Sequence, residues 1–212
     1  MRVAEPFCRH DWVWVGRETR LPDLAEVRSH CEAGLPFIVC RHPVPVGKDS
    51  LALGLALPDK RRIGFCVEVS GIREHRAPLS LEDVLHCVPD PWLPTLERLA
   101  AQFKEVGMET RIYGSAAWQA MTGAAYLRKD SDLDLLLTPT TEEQLRLVLG
   151  ILGSMEGAHP RLDGEIVLPD GRAVAWREAV CGSATLLVKT LSDVSLIARA
   201  TWMSALQDPA HV

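Results

Sequence analysis

Residues 112–137 read IYGSAAWQAMTGAAYLRKDSDLDLLL, and this stretch decides the architecture. A Gly-Ser step stands where a short apolar strand passes into a helix. After residues 116–131, Asp132-Leu133-Asp134 opens a very apolar run. Alternate side chains of a strand share a face, so Asp132 and Asp134 project together while Leu133 and Leu135 enter the core. A carboxylate carried into an apolar strand costs on the order of several kcal/mol unless something pairs with it. A cation is the expected partner, and converging hard oxygen donors select magnesium or manganese. Upstream, Gly114 offers a backbone without a side chain. Ser115 adds a hydroxyl and the amides of a helix start, a combination suited to phosphate. The two ends together suit a metal-bound triphosphate. Asp-x-Asp alone is equally a turn or capping feature, and Gly-Ser alone is weaker still. The order strand, Gly-Ser, helix, Asp-x-Asp strand is what carries the chemical reading.

Working outward, TRIYG, AAWQAMTG, LDLLLTP and TTEEQLRLVLGIL alternate strand and helix. RLDGEIVLPDGRAVAWREAV then reads as a hairpin turning at Pro169-Asp170-Gly171. Before them, a helix with Leu96, Leu99, Ala100 and Phe103 on one face stops at Gly107. Ser80 with Asp83 three residues on marks a capped helix start, and prolines from Pro89 to Pro94 interrupt the connector behind it. Further upstream lie HDWVWV, the helical LPDLAEVRSHCEAG closed by Gly34, and the strand-like LPFIVCRH, LALGLAL and RRIGFCVEVS. The expected fold is α/β (α+β): a mixed sheet flanked by helices over residues 89–212, behind a smaller β-rich domain over residues 1–88.

Composition bounds the function. The chain has 212 residues, 47% of them hydrophobic and 24% charged, enough for one large core or two small ones. A net charge of −5 argues against a broad nucleic-acid or membrane-surface footprint. No run approaches the roughly 18 apolar residues of a membrane span, and charges and a proline interrupt the amino terminus, so a cytoplasmic location is expected. Six cysteines, Cys8, Cys31, Cys40, Cys66, Cys87 and Cys181, form no CxxC pair and are expected as reduced thiols. Cys8 with His10 and Cys40 with His42 offer zinc-type donors, although small buried residues near strand ends read the same way.

The Gly114-Ser115 and Asp132-Leu133-Asp134 pair resembles the signature of the DNA polymerase β-like nucleotidyltransferase superfamily. The longer block GSAAWQAMTGAAYLRKDSDLDLLL resembles the malonate decarboxylase holo-acyl carrier protein synthase family, also called phosphoribosyl-dephospho-CoA transferase. The likeness continues through RLDGEIVLPDGRAVAWREA and LLVKTLSDVSLI, and more weakly through HDWVWV and LGLALPDKRRIGF. It implies transfer of the phosphoribosyl-dephospho-CoA group from 2'-(5-triphosphoribosyl)-3'-dephospho-CoA to a serine of the apo acyl carrier subunit of malonate decarboxylase, with release of pyrophosphate. Neither nucleic acid nor membrane is an expected partner.

The superfamily's third carboxylate falls on Asp163, with Glu165 on the same strand face and Glu178 as weaker candidates. Lys189 and the Arg128-Lys129 pair are expected to meet the triphosphate, or else to be surface charge. Trp118 and Trp176 are candidates to stack on adenine, or core residues. In the amino-terminal domain, His10-Asp11-Trp12 and Lys60-Arg61-Arg62 are candidates for binding the dephospho-CoA arm or an acidic carrier, or ordinary caps and turns. Two alternatives stay open: a different metal-dependent nucleotidyltransferase with another acceptor, and a non-catalytic carrier-binding module.

Overall fold

The computed structural model describes residues 7–41, 47 and 49–206. The chain forms two compact units. The first runs to Pro78 and includes Leu191–Asp193, and the second comprises Leu79–Thr190 and the residues from Val194 onward. The break at Pro78 lies ten residues ahead of the expected position near residue 88. Leu79 and Ser80 form an edge strand paired with Ile112 and Arg111, which ties them to the second unit.

In the first unit, strands β1 (Trp12–Val15), β2 (Phe37–Val39), β3 (Ser50–Ala56), β4 (Arg62–Glu68) and β5 (Ile72–Arg76) make one antiparallel sheet in the order β4-β3-β2-β1-β5. Helix α1 (Ala25–Glu32) stops before Gly34, whose φ of 72° ends the turn without a Cβ penalty. Burial follows sequence pattern. On β4 only Phe65 and Val67 are buried, in alternation, whereas the apolar β3 buries Leu51, Ala52, Leu53 and Leu55. Phe37 and Phe65 meet edge to face at 5.1 Å.

In the second unit, β6 (Leu79–Ser80) leads into α2 (Leu81–Val84). Ser80 and Asp83 cap it reciprocally, as the spacing predicts. Next along the chain come α3 (Leu93–Glu105), β7 (Thr110–Tyr113), α4 (Gly114–Thr122), β8 (Leu133–Leu137), α5 (Glu142–Ser154), β9 (Leu162–Val167), β10 (Ala173–Ala175), α6 (Trp176–Val180), β11 (Thr185–Lys189), β12 (Val194–Ala198) and α7 (Arg199–Met203). The seven strands order as β12-β11-β10-β9-β8-β7-β6, and β8–β9 is the parallel pair in an otherwise antiparallel sheet. Helix α5 makes the crossover that a parallel pair requires. Thr141 caps it, its hydroxyl accepting from the Gln144 N–H at 3.1 Å.

One sheet face is core. Leu133, Leu135, Leu137, Ile112, Ile166, Val174 and Val188 are fully buried. Leu96, Leu99 and Phe103 of α3 and Leu145, Val148 and Leu152 of α5 join them, each worth about 1.5–3 kcal/mol on burial. The hairpin forms where expected, with Gly171 at a φ of 81°. Its second arm is shorter than the sequence suggests: after Ala175 the chain turns helical, so Trp176, Arg177 and Glu178 belong to α6 and not to the hairpin.

Candidate active site

The register of β8 against its neighbours builds the site. Asp134 opposes Tyr113 on β7 and Asp163 on β9, so the Asp134 and Asp163 side chains leave the same sheet face. Adjacent strands lie about 4.8 Å apart, which brings these two carboxylates together although 28 residues separate them in sequence. One step earlier, Leu133 pairs with Leu162 and its N–H donates to the Arg161 carbonyl at 3.0 Å. Asp132 and Arg161 therefore sit side by side, and Arg161 Nη2 donates to Asp132 Oδ2 at 2.5 Å. The result is a square with Asp132 and Asp134 on one edge, Arg161 and Asp163 on the other. Asp132, Asp134 and Asp163 are half-buried. Leu136 and Glu165, one step deeper, are buried at 7% and 4% exposure, so the square lies at the accessible end of this face.

Two glycines make the arrangement possible. Gly114 begins α4 at a φ of 70°, and a Cβ there would stand 1.9 Å from Asp134 Oδ2 and 2.7 Å from its Cγ. Gly114 is thus required by the carboxylate as well as by the backbone, which ties the two halves of the sequence signature into direct contact. Gly164 has a φ of 133°, and a Cβ there would meet the Leu135 carbonyl oxygen at 2.0 Å. Its N–H donates to Asp163 Oδ1 at 2.8 Å, leaving Oδ2 of that carboxylate for other work.

The remaining candidates separate by environment. Ser115 lies half-buried in the first turn of α4 beside this face. Arg128 and Lys129 are exposed on the turn entering β8, where Ser131 Oγ accepts from the Arg128 N–H at 2.9 Å. Lys189 lies two strands from β9, and its Nζ donates to Glu165 Oε1 at 2.9 Å. Its side chain is 34% exposed and that of Glu165 only 5%, so Lys189 neutralises a buried charge. Glu178 accepts from the Leu187 N–H at 2.8 Å and braces α6 against β11. Of the three candidates for a third carboxylate, Asp163 is the one beside Asp134. Trp118 is buried and stacks on Tyr126 at 5.9 Å, and Trp176 is buried under Arg177. Both are core residues here, and the expectation of adenine stacking does not fit their burial.

In the first unit, Asp11 is buried, accepting from the Cys8 N–H and from His75 Nε2, both at 2.7 Å. It is a capping and packing residue there. Arg61 binds Asp59 and Glu26, and Lys60 takes a φ of 76° in the turn between β3 and β4. Among the described residues no group of three or more His, Cys, Asp or Glu side chains is arranged to hold a metal ion. That covers Cys8, His10 and Cys40; His42 lies outside the described residues. No described helix is long and apolar enough to cross a membrane.

Sequence reasoning missed Arg161. The signal was present: Arg161 precedes Asp163 by two residues, immediately ahead of β9, so continuing the period-two alternation puts it on the carboxylate side. The Asp132 hydrogen bond first, then the charges of Asp132, Asp163 and Asp134, hold its guanidinium above the ordinary value.

Comparison with known proteins places the chain. The family model for the phosphoribosyl-dephospho-CoA transferase MdcG C-terminal domain matches residues 80–200, and that for the N-terminal domain matches residues 8–78. A protein of Xanthomonas axonopodis pv. citri named phosphoribosyl-dephospho-CoA transferase is 35% identical over 206 residues, covering 93% of this chain and 97% of its own. Relatives of the same name from Bradyrhizobium diazoefficiens (36%, 77% of this chain and 74% of theirs) and Pseudomonas fluorescens (30%, 93% and 95%) agree. No solved structure matches the chain. Two family models that together span both units, and relatives matched over 74–97% of their own length, make this chain a member of the phosphoribosyl-dephospho-CoA transferase family, and so a transferase.

Proposed function

We propose that the chain transfers the phosphoribosyl-dephospho-CoA group from 2'-(5-triphosphoribosyl)-3'-dephospho-CoA to a serine of the apo acyl carrier subunit of malonate decarboxylase. The observation that carries this reading is the register pair Asp134–Asp163 with Asp132 two residues upstream. The protein offers two hard-oxygen side chains here, Asp132 and Asp134, of the type that takes magnesium or manganese, and the donor's own phosphate oxygens would complete the ligand set. Asp132 and Asp134 would hold the cation. When bound, it supplies Lewis-acid stabilisation of phosphate charge.

The chain's own residues do the rest. The first turn of α4, with Gly114 and the Ser115 hydroxyl, receives phosphate oxygens. Arg128 and Lys129, on the exposed turn into β8, attract the polyanionic donor. Asp163 Oδ2 takes the proton of the acceptor serine as its oxygen bonds to the α-phosphorus and the bond to pyrophosphate breaks. Lys189 supports this indirectly by keeping Glu165 paired beneath the site. The amino-terminal unit is assigned to binding the carrier or the dephospho-CoA arm.

The test is the intact mass of the apo carrier after incubation with the chain, magnesium and the triphosphoribosyl donor. A gain equal to the prosthetic group is expected, falling about a hundredfold in rate for Asp132→Asn or Asp134→Asn in folded protein. A carrier left unmodified while nucleoside triphosphates are consumed on another acceptor would reassign the substrate. Full rates in both variants would remove the carboxylates from the mechanism.

A further inference from the structure

Arg161 occupies the fourth corner of the carboxylate square. Its guanidinium holds Asp132, one of the two side chains assigned above to a cation, with side-chain exposures of 65% and 30%. A guanidinium does not lose its proton near neutral pH, so it stays a cation that competes with any other cation for Asp132. The exchange is easy, because an exposed ion pair shifts an equilibrium by only about two- to fivefold. The place to which Arg161 can turn is also defined. It precedes Asp163 by two residues and sits beside Asp132, at the accessible sheet end where the donor's polyphosphate is proposed to lie. Planar guanidinium groups pair with phosphate oxygens at least as well as with carboxylates.

We infer that Arg161 is a displaceable counter-ion: it covers Asp132 in the free protein, and yields to a divalent cation arriving with a polyphosphate, to which it then donates. This rests on the proposed cation site and adds an order to it. The bare cation competes with Arg161, whereas cation and polyphosphate together satisfy both Asp132 and Arg161, so they bind synergistically. Arg161 is then a binding residue for the leaving pyrophosphate portion of the donor, selecting the metal-bound form.

The experiment titrates Mn2+ alone, and Mn2+ with inorganic pyrophosphate, into the full chain, reading free Mn2+ by electron paramagnetic resonance. Arg161→Gln is expected to bind Mn2+ alone about two- to fivefold tighter, and pyrophosphate about tenfold or more weaker. Arg161→Lys, which keeps the charge without the planar fork, falls between Gln and wild type on both measures. Opposite signs in one variant are something a purely structural ion pair does not produce. Affinities unchanged in Arg161→Gln, or both weakened, with an intact circular dichroism spectrum, overturn the inference. Should Arg161→Gln fail to fold, Arg161→Lys decides by the same two signs. Asp132→Asn separates the two levels of argument. Mn2+ binding that needs Asp132 but ignores residue 161 removes the counter-ion role alone, and Mn2+ binding indifferent to Asp132 removes the cation site together with it.

Discussion

Replacing Gly114 by Ala tests the contact that joins the two halves of the signature. The added Cβ would lie 1.9 Å from Asp134 Oδ2, against ordinary contacts that begin at 3.4 Å. The carboxylate must therefore retreat by about 1.5 Å. Asp134 can rotate to do so, but only out of register with Asp132 and Asp163. A misplacement of about 1 Å at a reacting centre costs on the order of a hundredfold, or about 2.7 kcal/mol of barrier. The backbone contributes separately. A φ of 70° costs a residue with a Cβ about 1–2 kcal/mol, a fall of roughly 2–8 °C in Tm. Gly114→Ala is expected to lose about a hundredfold in transfer rate, measured by single-turnover mass shift of the carrier, with a modest drop in melting temperature. Combining it with Asp134→Ala removes the clash and leaves the backbone cost, so the stability losses should add up to less than their sum. Turnover within threefold of wild type, or strictly additive stability losses, would refute the steric link.

Gly164→Ala should be worse for the fold, because its Cβ would strike the Leu135 backbone, which no side-chain rotation can relieve; a loss of about 3 kcal/mol or more in denaturant titration is expected, and a loss under about 1 kcal/mol would contradict the close approach. Asp163→Asn should lower the transfer rate strongly at saturating donor and carrier with little change in donor affinity, whereas Glu165→Gln and Glu178→Gln should mainly lower melting temperature; an active Asp163→Asn would move the proton acceptor elsewhere. Burial pushes the His30 imidazole below its ordinary value, against the opposing effect of its bond to the Pro36 carbonyl. Its neutral form is favoured by folding, so the contribution is complete above about pH 6.5 and lost as pH falls through the depressed folded value. Thermal melts should show the amino-terminal unit weakening as pH falls below about 6.5, and His30→Gln should flatten that dependence; an unchanged slope in the variant would discount His30.

The strands and helices around residues 112–137 were legible because their local signals agree: alternation in LDLLL, Gly123 at a φ of 71° ending α4, and Thr141 capping α5. The neighbouring carboxylate was only partly legible. Asp163 and Glu165 share a face, and nothing local says which of them lies opposite Asp134; cross-strand register does, and register is a tertiary property. For the same reason Arg161 escaped notice, and the sequence left Lys189 between phosphate ligand and surface charge without pointing to Glu165, its partner on another strand. Trp176 and Glu178 misled differently. Local propensity allowed the strand to continue, and packing of α6 on β9 ended it at Ala175.

The one parallel pair of the second sheet also dictates when the site can exist. Asp134 and Asp163 meet only after α5 has carried the chain back across the sheet, so the constellation belongs to a long-range closure and to no single hairpin. Such pairings come late, because loop entropy is spent before any contact rewards it. A nascent or half-folded chain with β7, α4 and β8 in place would carry the full Gly-Ser and Asp-x-Asp signature and, under the proposed role of Asp163, still lack its proton acceptor. Regain of transfer during refolding would then time the zipping of β9 onto β8, making catalysis itself a clock for that long-range closure.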